Sequence, residues 1–231
     1  MEAIILAGGF GTRLQQVVKD FPKPMAPIAE RPFLEILLRS LAQKGFKRVV
    51  LSLGYMADKV VMHFGQQFAG LELIYAIEQK PLGTGGAVRE ALLQCKTNHV
   101  FVFNGDTYLD LEIAAVENHW QIHGNPVIVA REVADTSRYG RLHTADGRVL
   151  GFAEKGIAGA GLINAGCYVL PIHILDDFAV AHSFSLETDF LVKNVIAQQW
   201  DVFLTQGHFI DIGIPEDYAR AQIELRNLYA S

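Results

Sequence analysis

The chain has 231 residues, of which 50% are hydrophobic and 19% are charged, and 25 acidic residues outnumber 20 lysines and arginines. A chain of this size buries roughly seven-tenths of its surface on folding, so we expect a substantial core rather than disorder. The acidic excess excludes a general nucleic-acid binder, because phosphate backbones require a basic surface. No apolar run approaches the ~20 residues of a membrane helix, no basic stretch marks a secretory signal, and two cysteines give no disulfide framework. We therefore expect a soluble cytoplasmic protein.

Strand-like and helix-like segments alternate along the first half of the chain. Short apolar runs predict buried parallel strands, and apolar side chains at the helical period predict the helices between them. In chain order the predicted elements are strand Ala3–Leu6, helix Phe33–Lys44, strand Arg48–Leu53, helix Ala57–Phe64, strand Leu71–Ile77, helix Ala87–Gln94 and strand His99–Asn104. This alternation predicts an α/β fold with a mostly parallel sheet. Ligands of such sheets bind at the carboxyl ends of the strands, here after Leu6, Ile77 and Asn104.

The pattern changes after Gly124, where strand-like runs separated by turns predominate. The predicted strands are Pro126–Arg131, Arg138–His143, Arg148–Ala153 and Leu162–Leu170, and the predicted helices are Glu187–Gln199 and Glu216–Tyr229. Such runs predict antiparallel strands that form a smaller lobe facing the first half. Because no linker or repeat separates the halves, we expect residues 1–231 to form a single domain.

A glycine-rich turn, LAGGFGTRL, follows the first predicted strand. Glycine lets backbone N–H groups come close to a phosphate, because no Cβ intervenes. The turn has neither the glycine spacing of a Rossmann dinucleotide site nor the ending of a Walker loop. Arg13, near its end, carries a guanidinium that can neutralise a phosphoryl group through two parallel hydrogen bonds. Together these residues favour a phosphate site.

Lys23 lies between two prolines in the segment FPKPM. Pro22 and Pro24 fix the backbone dihedrals around it and remove N–H donors, so its ammonium is on a stiff, extended segment. Such a lysine is either a solvated residue of a proline-rich turn or a fixed cation that faces a phosphate.

These two motifs resemble the signature of sugar-1-phosphate nucleotidyltransferases. The resemblance continues through PLGTGGA at 81–87, NGDT at 104–107, EK at 154–155, GLINAG at 161–166 and FIDIG at 209–213. It implies a Rossmann-like nucleotidyltransferase fold, in which residues 1–124 mainly bind the nucleotide and residues 125–231 mainly bind the sugar. The implied reaction is an in-line displacement, in which a sugar 1-phosphate oxygen attacks the α-phosphorus of a nucleoside triphosphate and pyrophosphate leaves.

The resemblance also implies roles for individual residues. Arg13 and Lys23 are the catalytic cations. The nucleotide is bound by Leu6, Ala7, Gly8, Gly9, Gly11, Thr12, Glu78, Pro81, Gly83 and Thr84. The sugar phosphate is bound by Asn104, Tyr139, Gly140, Glu154, Lys155 and Asn164. Asp106 and Asp211 hold a Mg²⁺ cofactor, an ion that prefers carboxylates together with phosphate oxygens and waters.

Glu78 bears on the choice of base. Guanine offers adjacent N1–H and N2–H₂ donors to a carboxylate, whereas uracil and thymine place one donor between two acceptors. Glu78 is either this contact, which favours GTP, or a surface residue at a strand end. Within the family, the motifs most resemble enzymes that transfer GMP to a heptose 1-phosphate. Transfer of GMP to mannose 1-phosphate, or of UMP to N-acetylmuramic acid 1-phosphate, is the alternative.

Other features predict structure rather than chemistry. His119 and His123 have the spacing of metal ligands on a helix, but no third ligand is evident nearby, which favours a solvated helix face. Residues Ser183–Asp189 predict the start of a helix, where acidic residues are favoured by the helix dipole. A non-catalytic nucleotide-sugar-binding regulator is the other class of function, but the presence of both cations and both carboxylates favours catalysis. The expected partners are an NTP and a sugar 1-phosphate, for a monomer or homodimer.

Overall fold

The computed structural model describes residues 1–9, 21–153, 156–226 and 228. Its strands are β1 (Glu2–Leu6), β2 (Pro27–Ile28), β3 (Arg31–Pro32), β4 (Arg48–Leu53), β5 (Gln67–Phe68), β6 (Leu71–Ile77), β7 (His99–Asn104), β8 (Thr107–Leu109), β9 (Val127–Val133), β10 (Leu142–Ala145), β11 (Arg148–Phe152), β12 (Gly161–Pro171), β13 (Asp201–Thr205) and β14 (Phe209–Asp211). Its helices are α1 (Phe33–Gln43), α2 (Ala57–Phe64), α3 (Gly83–Leu92), α4 (Ile113–His123), α5 (Val192–Ala197) and α6 (Pro215–Glu224). A 3₁₀ turn covers Lys23–Met25, and a π-helical segment, Leu186–Leu191, leads into α5. No helix in these ranges is long and apolar enough to cross a membrane.

Ten strands form one sheet in the order β10-β11-β13-β9-β12-β7-β1-β4-β6-β5. The neighbours β7, β1, β4 and β6 are parallel, and β9 is parallel to β13. Strand β12 runs antiparallel to both β7 and β9, so these six parallel strands share one direction and their carboxyl ends lie at one edge. The α/β fold is thus confirmed, and the antiparallel strands of the second half extend the same sheet. Short antiparallel ladders, β8–β14 and β2–β3, lie outside it.

The central strands are buried on both faces, as their unbroken apolar sequences predict. On β1, Ala3 and Ile5 pack into one hydrophobic cluster while Ile4 packs into the other. The first cluster includes buried residues of α1, α2, α4 and α6, and the second includes residues of α3, the π-helical segment and α5. The fully buried Trp200 lies in the second cluster. A two-sided core of this kind leaves the sheet edges as the places where a ligand can approach the strands.

Most predicted elements of the first half coincide with observed ones. The predicted spans of β4, α2, β6 and β7 match residue for residue, and α1 ends one residue earlier than predicted. In the second half, the predicted strand Arg138–His143 is wrong at its start, because β10 begins only at Leu142. Before it lies a turn in which the Tyr139 N–H donates to the Thr136 carbonyl at 2.9 Å.

The predicted start of α3 at Ala87 is also wrong, because the helix begins at Gly83 and includes the glycines that we expected to precede it. A second segment of the chain, residues 182–184, packs against these glycines. The Gly85 N–H donates to the Phe184 carbonyl and the Phe184 N–H donates to the Leu82 carbonyl, each at 3.0 Å. A Cβ on Gly86 would lie 2.4 Å from the His182 carbonyl oxygen. The glycines therefore let residues 182–184 pack directly on the first turn of α3.

Replacing Gly86 with alanine tests this packing. The new methyl group would overlap a backbone oxygen, so we expect Gly86→Ala to lower the free energy of unfolding by about 1–3 kcal/mol despite the better helix propensity of alanine. Denaturant unfolding monitored by circular dichroism measures the change. A Cβ on Gly151 meets no atom within 4 Å, so Gly151→Ala is the matched control and should change stability by less than about 0.5 kcal/mol. Equal stability of the two variants would contradict the packing role.

Candidate active site

A cavity of about 530 Å³ opens at the carboxyl edge of the parallel strands. Its volume lies within the range of small-molecule sites. Backbone register aligns the strand ends, because Leu6 pairs with Asn104 on one side and with Ser52 on the other. The predicted site residues that line the cavity are Leu6, Ala7, Gly8, Gly9, Lys23, Glu78, Pro81, Gly83, Thr84, Asn104 and Asp106. The fold thus brings together Gly8 and Gly9 at the start of the glycine turn, the proline-flanked Lys23, the loop between β6 and α3, and the end of β7.

Gly8 and Gly9, the first glycines of the turn, differ in their surroundings. A Cβ on Gly8 would lie 2.8 Å from Glu78 Oε1, and one on Gly54 would lie 2.9 Å from the Gly8 carbonyl oxygen. These two glycines therefore allow the ends of β1, β4 and β6 to come together. A Cβ on Gly9 would meet nothing within 4 Å, and Gly9 lines the cavity. Its backbone is thus open to the cavity, as a phosphate-binding backbone requires.

Lys23 is a partly buried, fixed cation. Its neighbours Met25 and Ala26 are buried in the first hydrophobic cluster, which anchors the 3₁₀ turn. Only 12% of the lysine side chain is exposed, and its ammonium forms a close ion pair with Asp106 Oδ2. The reading of Lys23 as a solvated turn residue is therefore wrong, and the ammonium faces the cavity.

Asp106 and Asp211, 105 residues apart in sequence, lie side by side because β8 pairs with β14. Thr107 is opposite Asp211 in this ladder, and the Ile212 N–H donates to the Asp106 carbonyl at 2.9 Å. Burial raises the pKa of Asp211 above its usual range, and the nearby Asp106 charge raises it further. Lys23 and the Gly213 N–H, which donates to Asp211 Oδ1 at 2.6 Å, oppose this rise in pKa. Two carboxylates therefore repel each other beside one ammonium.

This pair of carboxylates fits a hard divalent cation. Mg²⁺ keeps several waters and is typically held by one or two carboxylates together with substrate phosphates. The described part of the chain contains no group of three or more His, Cys, Asp or Glu residues that could enclose a metal without a substrate. The His119 and His123 rings lie 4.5 Å apart, and His119 Nε2 is 3.0 Å from Asp201 Oδ2, so His119 links α4 to β13.

Glu78 lies between Gly8 and the loop that joins β6 to α3. Its Oε2 accepts the Leu82 N–H at 2.8 Å, which closes the loop between β6 and α3. Burial raises the pKa of Glu78, the Leu82 hydrogen bond lowers it, and the charge of Glu90 raises it. The carboxyl group is half-buried in the cavity wall, so it is not the exposed strand-end residue that was the alternative reading.

Three predicted sugar-phosphate residues do not line this cavity. Tyr139 lines a second cavity of about 430 Å³, where its ring packs edge-on against Phe209. The Asn164 amide donates to the Tyr168 hydroxyl at 2.7 Å and accepts the Gly166 N–H at 3.0 Å, so it stabilises an irregularity in β12. A Cβ on Gly140 would lie 3.7 Å from the Ala153 carbonyl oxygen, an ordinary van der Waals distance, so no close approach requires a glycine there. The predicted residues Gly11, Thr12, Arg13, Glu154 and Lys155 lie outside the described residues.

Glu187 is a cavity residue that no sequence motif indicated. The helix start predicted at this segment is confirmed, because the Ser185 hydroxyl accepts the Thr188 N–H. Glu187, however, lines the cavity and accepts a hydrogen bond from the Thr84 hydroxyl at 2.8 Å. No motif marks this position, because the contact depends on the packing of residues 182–184 on α3.

Comparison with known proteins identifies close relatives. The nucleotidyl transferase family matches residues 2–227. The D-glycero-alpha-D-manno-heptose 1-phosphate guanylyltransferase of Aneurinibacillus thermoaerophilus is 40% identical to this chain, in an alignment that covers 98% of this chain and 99% of that protein. The crystal structure of HddC from Yersinia pseudotuberculosis complexed with GMP-PN is 39% identical, with a TM-score of 0.86 over 96% of this chain and 97% of that one. A putative mannose-1-phosphate guanyltransferase of Sulfolobus acidocaldarius is 33% identical over 99% of this chain and 64% of its own length.

The crowding of Asp211 predicts a pH-dependent gain in stability on its removal. Because the folded state raises the pKa of this carboxyl, its stabilising contribution is present at low pH and is lost as the pH rises through the folded pKa. The ionised group therefore destabilises the ligand-free protein at neutral pH. We expect Asp211→Asn to raise the Tm at about pH 7.5 by roughly 2–4 °C, the shift that about 1 kcal/mol produces at this chain length.

Calorimetric scans over a range of pH measure this effect. The gain should shrink as the pH falls toward the acidic range, where the wild-type carboxyl is protonated. Asp177→Asn, which removes an exposed aspartate outside the cavity, is the charge-matched control and should show no such trend. A lower Tm for Asp211→Asn at neutral pH would contradict the repulsion between the two carboxylates.

Proposed function

Because the chain belongs to the nucleotidyl transferase family, we propose that it transfers GMP from GTP to D-glycero-α-D-manno-heptose 1-phosphate and releases pyrophosphate. The single observation that carries this proposal is the convergence of three charged groups: Lys23 and Asp106 line the cavity together with Gly8 and Gly9, and the carboxyl group of Asp211 lies near both charges. Phosphoryl transfer requires alignment and charge neutralisation more than covalent help from the protein. A fixed ammonium and a pair of carboxylates that can share a metal ion supply both.

In this proposal each group at the cavity has its own role. The Gly8–Gly9 backbone receives the triphosphate, and the Lys23 ammonium holds the reacting phosphates in line. Asp106 and Asp211 would hold Mg²⁺, which when bound neutralises charge on the phosphate oxygens. As the phosphates arrive, Lys23 is shared between them and Asp106. The proposal also includes Arg13 as the second cation, on the resemblance of its motif alone.

The preference for guanine rests on Glu78 and on the relatives. The carboxyl group of Glu78 is held at the loop between β6 and α3 by the Leu82 N–H, where an acceptor can meet the N1–H and N2–H₂ donors of guanine. The Aneurinibacillus and Sulfolobus relatives are both named for guanylyl transfer, which supports GTP over UTP.

Mannose 1-phosphate is the second candidate acceptor. The Sulfolobus relative supports it, but this chain spans only 64% of that relative's length, whereas it spans 99% of the heptose-named relative at higher identity. The heptose acceptor is therefore the primary proposal.

A panel of substrate pairs tests the proposal. Pyrophosphate release should be measured with GTP, UTP, CTP, dTTP and ATP, each against heptose, mannose and N-acetylmuramic acid 1-phosphates in the presence of Mg²⁺. We expect the highest kcat/KM for GTP with the heptose 1-phosphate. A preference for UTP with the muramic acid derivative would contradict the proposal, and no release in any pair would favour a non-catalytic binding protein.

The isosteric variant Glu78→Gln refines this panel. Glutamine can still accept the Leu82 N–H, but it faces guanine with one donor where the carboxylate offers a second acceptor. We expect the preference for GTP over UTP to fall by about tenfold, the effect of one hydrogen bond to a charged group, with the KM for the sugar phosphate unchanged. An unchanged preference would remove Glu78 from base recognition.

A further inference from the structure

The turn at residues 136–139 is firmly anchored. Thr136 is fully buried, and its hydroxyl donates to the Ile157 carbonyl at 2.7 Å and accepts a hydrogen bond from Arg141 Nη2 at 3.0 Å. The Tyr139 N–H closes the turn on the Thr136 carbonyl at 2.9 Å. Because a buried hydroxyl ties this turn to a second segment of the chain, the side chains of Arg138 and Tyr139 are held on a fixed base.

This turn contacts the segment that carries Asp211 at two points. Before Asp211 in the chain, Phe209 packs edge-on against the Tyr139 ring, with the ring centroids 6.1 Å apart. After it, Asp217 Oδ2 in the first turn of α6 accepts a hydrogen bond from Arg138 Nη2 at 2.6 Å. The Asp217 side chain is only 7% exposed. The two contacts therefore flank Asp211 in sequence.

The first contact is made on the face of β14 that carries Asp211. Side chains two residues apart on a strand point to the same side, so Phe209 and Asp211 share a face, while Ile210 between them is buried in the first hydrophobic cluster. Burial raises the pKa of Tyr139, the Arg138 charge lowers it, and the nearby Asp211 charge raises it again. The turn thus lies close to the Asp211 carboxyl group as well as to its strand.

The β8–β14 ladder alone is a weak restraint on Asp211. It contains three residue pairs, and an isolated two-stranded ladder is only marginally stable. The charge of Asp106 repels the Asp211 carboxylate across this ladder. Helix α6, which receives the Arg138 contact, is itself fixed, because Gln222 Nε2 donates to the Pro27 carbonyl at 2.6 Å. The Arg138 contact therefore joins an anchored turn to an anchored helix, with Asp211 on the segment between them.

We propose that Arg138 is a positioning residue, which holds Asp211 in place for Mg²⁺ through its hydrogen bond to Asp217. Partners outside the ligand set commonly orient metal ligands in this way. The inference rests on the proposed function, because it requires Asp211 to hold Mg²⁺ together with substrate phosphates.

Charge alone predicts the opposite effect. A guanidinium near Asp211 repels a divalent cation, so the removal of Arg138 would favour Mg²⁺ if only its charge mattered. Weaker Mg²⁺ binding after its removal therefore reports lost positioning.

Calorimetric binding of a non-hydrolysable GTP analogue, over a series of Mg²⁺ concentrations and in EDTA, tests the proposal without turnover. For Arg138→Met we expect the Mg²⁺ concentration that gives half of the affinity gain to rise by roughly tenfold, the lower end of the loss seen for partners of metal ligands. The Kd in EDTA should be unchanged. Arg138→Lys keeps a cation that can donate to Asp217, so it should restore most of the wild-type Mg²⁺ requirement.

Arg220 provides the matched control. Its Nη1 lies 3.1 Å from Asp217 Oδ1, and its side chain is 48% exposed, against 45% for Arg138. Arg220 belongs to α6 itself, however, so its contact cannot tie the helix to the turn. Arg220→Met should therefore leave the Mg²⁺ requirement unchanged. Both methionine variants should keep the wild-type Tm to within about 4 °C, because half-exposed ion pairs contribute little to stability.

Other outcomes overturn the positioning role in distinguishable ways. An unchanged or lower Mg²⁺ requirement in Arg138→Met would mean that the contact does not act on Asp211. Equal losses of affinity in Mg²⁺ and in EDTA, or an equal rise in the Mg²⁺ requirement of Arg220→Met, would indicate a general effect of the lost arginine. Wild-type protein that binds the analogue without any response to Mg²⁺ would contradict the proposed function itself, and the role of Arg138 with it.

Discussion

Two carboxylates and one ammonium are confined to a small volume where β7 ends and β14 passes. The pairing of β8 with β14 fixes Asp106 beside Asp211, while the buried anchor of the 3₁₀ turn fixes Lys23 against Asp106. Burial and mutual repulsion raise the pKa of Asp211, so the charges of this cluster are unbalanced in the ligand-free protein. A site that pays stability to hold like charges together is typical of catalytic centres rather than of structural ion pairs. In the proposed function, Mg²⁺ bound between the two carboxylates and the substrate phosphates would offset this excess negative charge.

Elsewhere in the cavity wall, glycines allow backbone segments to lie unusually close together. Gly8 and Gly54 let the chain at the end of β1 lie against the end of β4 and Glu78, and Gly86 lets residues 182–184 lie against α3. The first contact shapes the part of the cavity beside Glu78, and the second places Glu187 in the cavity wall, where it accepts a hydrogen bond from the Thr84 hydroxyl. Both contacts join segments that are distant in sequence, so the cavity depends on the completed sheet and its flanking helices. Its shape is therefore a property of the folded domain and not of any single loop.

The sequence predicted the sheet well where hydrophobic pattern alone determines structure, as in β4, β6 and β7. It failed at α3, because glycines that usually interrupt a helix are here required by a second chain segment. The neighbourhood of Asp106 and Asp211 came only from family resemblance, since a three-residue ladder leaves no periodic signal. Asn164 was assigned to the sugar by resemblance, yet its side chain is engaged within β12. Glu187 was missed because its position depends on packing between distant segments.

The dependence of GTP affinity on a divalent cation tests the central claim most directly. The Kd of a non-hydrolysable GTP analogue should be measured by calorimetry with Mg²⁺ and with EDTA, for the wild-type protein and for the double variant Asp106→Asn, Asp211→Asn. The account predicts that Mg²⁺ strengthens binding to the wild-type protein by about tenfold or more and that the double variant loses this gain. Equal Kd values with Mg²⁺ and EDTA in the wild-type protein would contradict it.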